Sequence, residues 1–203
     1  MIKEESRNRV IMGIDPGTNR MGYGVLEVSE GKAKCVIIGD IDMVKMKDPY
    51  EKLAYIFRRV AQLTDEYQPD EVALESPFFG ENVQSMLKLG RAQGVAMAAA
   101  LSRDKKVFEY PPMRVKQAIT GRGAASKEQV ARMLQQMLGI EYDPKRLDAT
   151  DGLAVALCHH LMTSSPIPTA PKHRAPKRGG SWERFVAENP EKVVRLNRAT
   201  RKQ

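Results

Sequence analysis

The chain has 203 residues, 42% of them apolar and 29% charged, with a formal net charge of +8; this length suits one domain, or one domain with a tail, able to bury a core without disulfides or structural metals. Two cysteines (Cys35 and Cys158) and three histidines, two of them adjacent at His159 and His160, argue against a disulfide framework and against a cysteine- or histidine-based metal cage. No stretch approaches the roughly 18 apolar residues of a membrane span, and the polar segment Met1 to Arg9 lacks the apolar core of a signal peptide, so a cytoplasmic protein without a membrane role is expected.

Val10 to Ile14 is a short apolar run ending in Asp15-Pro16-Gly17, a strand followed by a turn. Met21 to Val28 and Ala33 to Ile41 read as two further strands, with short polar breaks that suggest antiparallel hairpins. Leu53, Ile56, Phe57, Val60 and Leu63 recur with helical spacing between Tyr50 and Tyr67, and Pro69 stops that helix. Glu71 to Leu74 is a short strand running into Glu75 and Pro77; Val83 to Leu101 is a second helix, rich in Ala, Met and Leu. Val107 to Tyr110 is a fifth strand closed by Pro111-Pro112, and helices follow at about Met113 to Thr120, Lys127 to Leu138 and Asp148 to Met162. Three hairpin strands followed by strand–helix–strand crossovers predict an α/β fold, a five-stranded mixed sheet flanked by helices.

The composition changes near residue 165. Residues 165–203 hold ten Lys/Arg against three Asp/Glu, leaving 23 against 22 in residues 1–164, so nearly all of the basic excess sits in the tail. Pro166, Pro168, Pro171 and Pro176, then Lys177-Arg178-Gly179-Gly180, read as an extended linker. Ser181 to Lys202 could hold one or two short helices around Trp182, Phe185, Val193 and Leu196. The expected organisation is a polar extension over residues 1–8, a folded domain over 9–164 and a basic, Pro-rich, flexible tail over 165–203. Attraction to phosphates and a merely solvated arm both account for the tail's charge.

Asp15 ends the first strand, in the segment Gly13-Ile14-Asp15-Pro16-Gly17-Thr18, which continues to Gly22-Tyr23-Gly24. The glycines let the backbone turn and approach a ligand closely; a tight turn capped by Asp15 itself is the plainer alternative. Glu75 ends another apolar strand. Parallel neighbours deliver their C-terminal residues to one edge, where open α/β sheets place their sites. Asp148 and Asp151 stand three apart at the start of an apolar helix, one turn apart on one face, a spacing that helix capping and the helix dipole also explain. Four carboxylates converging on one pocket would repel and raise each other's pKa values. A hard divalent cation, Mg²⁺ or Mn²⁺ rather than zinc, would compensate. Two such ions can hold the attacking and leaving oxygens of an in-line phosphoryl displacement.

Gly13-Ile14-Asp15-Pro16-Gly17-Thr18, Gly22-Tyr23-Gly24, Leu74-Glu75, Leu87-Lys88-Leu89-Gly90-Arg91-Ala92-Gln93-Gly94, Val115-Lys116-Gln117 and Asp148-Ala149-Thr150-Asp151-Gly152-Leu153-Ala154 occur in this order. With them, residues 9 to 163 resemble the RuvC family of crossover junction endodeoxyribonucleases, the bacterial Holliday junction resolvases. The resemblance implies a ribonuclease-H-like fold, a homodimer, and Mg²⁺-dependent nicking of two opposed strands at a four-way DNA junction, with two ions per active site and a branch-migration complex (RuvA and RuvB) as partner. It also implies that Asp15, Glu75, Asp148 and Asp151 are the catalytic and metal-ligating acids, the third being a position that varies between Asp and His. Phe78 matches an aromatic that stacks on bases, and Lys116 and Lys127 match basic positions near the scissile strand; a core Phe and a solvated helix face are the alternatives. Ser76-Pro77 after the glutamate departs from the family's familiar pairing, and the tail is longer than the family leads one to expect.

Three other functions are open to the sequence. Asp15-x-Gly17-Thr18 with Gly22 resembles the first phosphate loop of actin-like ATPases and sugar kinases, but those need a second such loop, and none occurs here. A related nuclease family trims ribosomal RNA precursors. A non-catalytic junction-binding module would not need all four acids.

Overall fold

The structure is a computed structural model that describes residues 8–77, 82–144 and 147–164. Most of the predicted polar extension, the tail 165–203 and Phe78 lie outside the described residues. The elements follow in the order β1 (Arg9–Asp15), β2 (Arg20–Ser29), β3 (Lys32–Asp42), α1 (Pro49–Tyr67), β4 (Glu71–Glu75), α2 (Val83–Leu101), β5 (Lys106–Tyr110), α3 (Pro112–Thr120), α4 (Lys127–Leu138) and α5 (Asp148–Ser164). Every strand and helix predicted within the described residues is present, with ends that differ by at most two residues; the short helices expected in Ser181 to Lys202 lie outside the described residues. Helix α3 starts at Pro112 rather than Met113, because a proline at the first helical position gives up an N–H that has no partner there anyway.

Local chemistry sets the helix ends. The Asp48 side chain accepts hydrogen bonds from the Tyr50 and Glu51 N–H groups at the start of α1, and Gln68 in the left-handed region (φ 44°) closes it before Pro69. Ser126 and Gln129 form a reciprocal capping box at the start of α4, which Gly139 ends (φ 64°).

The sheet order is β3-β2-β1-β4-β5. β1, β2 and β3 pair antiparallel, while β4 runs parallel to β1 and β5 parallel to β4. The mixed, helix-flanked sheet inferred from the sequence is therefore the one observed. Side chains alternate between its two faces. Met12, Ile14, Tyr23, Val25, Val72 and Leu74 pack with residues of α1 and α2 in one core. Ile11, Leu26 and Ala73 pack with α3, α4 and α5 in a second. Helix α5 is buried continuously from Gly152 to His160, as expected of a helix with the sheet on one side and α3 and α4 against the other. No described helix is long and apolar enough to cross a membrane.

Glycines set the depth of α5. A Cβ on Gly13 would lie 2.2 Å from the Gly152 carbonyl oxygen, one on Gly22 1.8 Å from that of Asp148, and one on Gly24 2.5 Å from the Cα of Leu153. A Cβ on Gly152 would in turn meet the Tyr23 Cα at 2.5 Å. Gly13 faces Gly24 across the β1–β2 ladder, and Asp15 faces Gly22. This corrects the reading of these glycines as room for a ligand: Gly13, Gly22 and Gly24 admit the backbone of α5. Gly17 alone serves the turn, its missing Cβ leaving space for the Arg20 carbonyl.

Candidate active site

Asp15 and Glu75 occupy equivalent places. Ile14 of β1 is paired with Leu74 of β4, so the next residue on each strand is a carboxylate. Alternation puts both on the α5 face, as it does Ile11 and Ala73. Because α5 sits deep on β1 and β2, its first turn arrives at this same edge. Asp15, Glu75 and Asp151 line one cavity of about 250 Å³, closed by Pro112, Val115 and Lys116 of α3, Lys127 and Val130 of α4 and Ala154 of α5.

Asp148 stands at the rim. The Lys127 ammonium donates to the Asp151 carboxylate and lies 3.5 Å from an oxygen of Asp148. Asp148 is 40% exposed against 14% for Asp151, so α5 turns one acid inward and leaves the other at the mouth. The structure thus brings together Asp15, Glu75, Asp151, Lys116 and Lys127 and sets Asp148 beside them, tied through Lys127.

The electrostatics follow from burying several acids with few cations. Burial pushes Asp15 well above the ordinary carboxylate range; Glu75, Asp151 and Asp148 add repulsion and Lys127 opposes it. Glu75 is raised to about 7, mainly by burial and then by Asp151, with Lys127 and Lys116 pulling it down. Asp151 is raised by burial despite its hydrogen bond from Lys127. Burial works against the Lys127 charge, but Asp151, Asp15 and Asp148 outweigh it and raise its pKa.

Such a site is short of positive charge. Among the described residues no three His, Cys, Asp or Glu side chains are gathered closely enough to hold a metal ion as they stand, and Lys127 spans Asp148 and Asp151. The donor chemistry nevertheless fits a hard divalent cation: the available ligands are carboxylate oxygens, and the burden on Asp15, Glu75 and Asp151 is one a cation relieves.

Sequence reasoning gives no role to two buried polar groups. Gln93, 5% exposed on α2, donates from Nε2 to the Glu75 carbonyl oxygen at 3.3 Å and to Glu109 Oε1 at 2.7 Å, anchoring the strand end that presents Glu75. Apart from its place in the Leu87 to Gly94 motif, its signal is a single amide among the buried alanines 92, 96, 99 and 100 of an inner helix face. His159 is fully buried; its Nε2 is 2.9 Å from Glu71, its Nδ1 2.7 Å from the Tyr110 hydroxyl, and Arg9 donates to the same Glu71. This network has a structural role: it fastens α5 to β1, β4 and β5.

A five-stranded mixed sheet with acids at the C-terminal ends of β1 and β4 and at the head of the helix lying across them is the ribonuclease-H-like arrangement. The profile of the family described as crossover junction endodeoxyribonuclease RuvC matches residues 11–159. Proteins of that name from Christiangramia forsetii and Porphyromonas gingivalis are 53% identical over 185 residues (91% of this chain, 93% of the relative) and 54% identical over 193 residues (92% and 98%). The solved structure of Thermus thermophilus RuvC in complex with a Holliday junction substrate superposes with a TM-score of 0.69 at 34% identity, over 76% of this chain and 94% of that one. The chain belongs to the RuvC family of crossover junction endodeoxyribonucleases, and it is an enzyme of the metal-dependent nuclease type. Neither the ribosomal-RNA, the ATPase nor the non-catalytic alternative gains support from these relatives.

Proposed function

We propose that this chain resolves four-way DNA junctions in recombination and repair, by paired symmetric nicks made through hydrolysis of one phosphodiester in each of two opposed strands. The observation that carries the reading is the meeting of Asp15, Glu75 and Asp151 from three distant segments in one cavity with Lys116 and Lys127. A nuclease of this kind needs acids to hold cations and bases to receive a phosphate, and the cavity supplies both within one wall.

Asp15, Glu75, Asp148 and Asp151 would hold two Mg²⁺ ions, with Mn²⁺ an acceptable substitute for oxygen donors. Bound there, the cations would supply a water of lowered pKa and neutralise the charge that develops on the leaving 3′-oxygen. The rest is the work of the chain. Asp15, fixed at a strand terminus and backed by α5, orients the pair of acids on the sheet. Lys127 holds Asp148 and Asp151 together, and with Lys116 it offsets phosphate charge and positions the strand. Phe78 is assigned to stacking on a base beside the cut.

Two equivalent nicks on a nearly two-fold substrate call for two sites related by a two-fold axis, hence a homodimer. Helix α2 is the proposed contact: its inner face is spent on α1 and the sheet, while Val83 and Leu87 are 63% and 53% exposed and Gly90 and Gly94 leave open space beside them. The nuclease is assigned to residues 9–164, acting on cytoplasmic DNA together with the branch-migration proteins RuvA and RuvB.

Asp15→Asn tests the reading. It keeps the shape of the site and removes a charge, so binding to an immobile junction should persist while Mg²⁺-dependent nicking disappears. Nicking at the wild-type rate in that variant would overturn the assignment.

A further inference from the structure

A second cavity, of about 400 Å³, lies on the other face of the sheet between the N-terminal halves of α1 and α2. Lys47, Lys52, Lys88 and Arg91 line it, together with Thr18 and Asn19 of the turn that follows Asp15. Among the described residues no carboxylate lines it. Four cations around one hollow repel each other unless an anion enters.

The cavity is also organised from within. The Lys52 ammonium donates to the Thr18 carbonyl at 3.0 Å and to Asn19 Oδ1 at 2.8 Å. The Met43 N–H donates to the Asn19 carbonyl at 2.8 Å. Both of these Lys52 partners are neutral, so Lys52 fastens the turn without spending its charge on a carboxylate. The first N–H groups of α1 are already taken by Asp48, so the anion site is made by side chains and not by a helix end. Tyr50, 74% exposed at the rim, adds a flat face that suits a sugar or base.

We propose that this cavity binds a backbone phosphate of a DNA arm next to the strand being cut. The inference rests on the junction-resolving reading and adds to it a second point of contact. The catalytic cavity and the basic cavity lie on opposite faces of the sheet, one lined by Asp15 itself and the other by the turn three residues beyond it. A strand cut at the first would leave along the second, and a phosphate held there fixes the direction in which the arm departs. A surface for a second copy of this chain is the competing use. Like charges gathered into one hollow disfavour it, since the centres of protein interfaces are depleted in charge.

The test uses full-length protein carrying Asp15→Asn, which prevents cutting, with and without the further changes Lys88→Ala and Arg91→Ala. Affinity for an immobile four-way junction is measured as salt is raised from about 50 to about 200 mM, where each phosphate neutralised by a cation contributes a slope of about −0.9 in log affinity against log salt. Losing the one phosphate held in the cavity should make the slope shallower by about 0.9, so the fourfold rise in salt should cost the parent about 3.5-fold more affinity than the altered protein. Replacing arm phosphates near the junction by neutral methylphosphonates should weaken the parent and leave the altered protein indifferent at the responsible position. Equal slopes with and without the two changes would overturn the proposal, as would a change in sedimentation from dimer to monomer at unchanged slope, which would assign the face to a second copy. No junction binding by the parent would instead defeat the junction-resolving reading, so the two failures are separable.

Discussion

Without divalent cations, the protein should lose stability as the pH rises, and Glu75 should account for a measurable part of the loss. Burial and the charge of Asp151 move this carboxyl from 4.5 to about 7, against the pull of Lys127 and Lys116. Below 4.5 the folded and unfolded chains both carry the proton and the effect is absent. Between 4.5 and about 7 only the folded chain keeps it, so each step up in pH favours unfolding. Above about 7 both have lost it and the cost is complete. That displacement, at ~1.36 kcal/mol per pH unit, sets an upper bound of about 3 kcal/mol for this one group. Asp15 and Asp151 are displaced in the same direction and add to the slope.

The measurement is urea unfolding in excess EDTA, from about pH 5 to about pH 8, for the wild type and Glu75→Gln. The wild type should lose up to about 3 kcal/mol more than the variant across that range, because the amide has no proton to release. Excess Mg²⁺ should flatten the wild-type curve, since a bound cation stabilises the ionised cluster that the proton otherwise protects. Parallel curves for the two proteins in EDTA would refute the account of Glu75 as a buried acid held high by its neighbours.

Gly13→Ala should drive a methyl group into the Gly152 carbonyl, 2.2 Å from the ideal Cβ position; overpacking of this kind costs about 1–3 kcal/mol, and the displaced α5 should reduce nicking more than junction binding. A wild-type melting temperature with wild-type turnover would contradict it. Gln93→Ala removes a donor from the Glu75 carbonyl and from the exposed Glu109 carboxylate, so the urea midpoint should fall by the equivalent of about 1 kcal/mol. Lys127→Met removes a charge that lowers the pKa of Asp15, Glu75 and Asp151. The acid limb of its pH–rate profile should therefore move to higher pH, and a limb that stays in place or moves down would show that the lysine does not tune the acids.

The sheet and its helices are legible in the sequence because each element carries a strong local pattern. Val10 to Ile14 and Glu71 to Leu74 are short apolar runs cut off by Pro-containing turns, and Tyr50 to Tyr67 repeats its apolar residues at helical spacing. The acids of β1 and β4 are legible too, since parallel neighbours share an edge. The meaning of Gly13, Gly22 and Gly24 is not, because a glycine that makes room for a turn and one that makes room for a helix look alike in sequence. The basic cavity is hidden for a different reason. Lys47, Lys52, Lys88 and Arg91 come from a loop and two helices and are ordinary surface cations until the fold sets them around one hollow beside the turn after Asp15. Gln93 shows only as one polar residue among alanines, and nothing local says that its partner is the backbone of Glu75.

The glycines explain how a sheet with two acidic strand ends gains a third acid in its cavity and a fourth at the rim. Asp15 and Glu75 share a face by alternation alone, but Asp148 and Asp151 belong to a helix that could lie on the same sheet at an ordinary distance and leave its first turn too high. Removing the Cβ at Gly13, Gly22, Gly24 and Gly152 lowers that helix until backbone meets backbone, and the His159–Glu71–Arg9 network pins its far half to the start of β1 and β4. The same descent buries Asp15, Glu75 and Asp151 and raises their pKa values, a penalty that Lys127 offsets in part. The packing of α5 and the placing of Asp151 therefore depend on the same glycines, which is why a single added methyl at Gly13 is expected to disturb both.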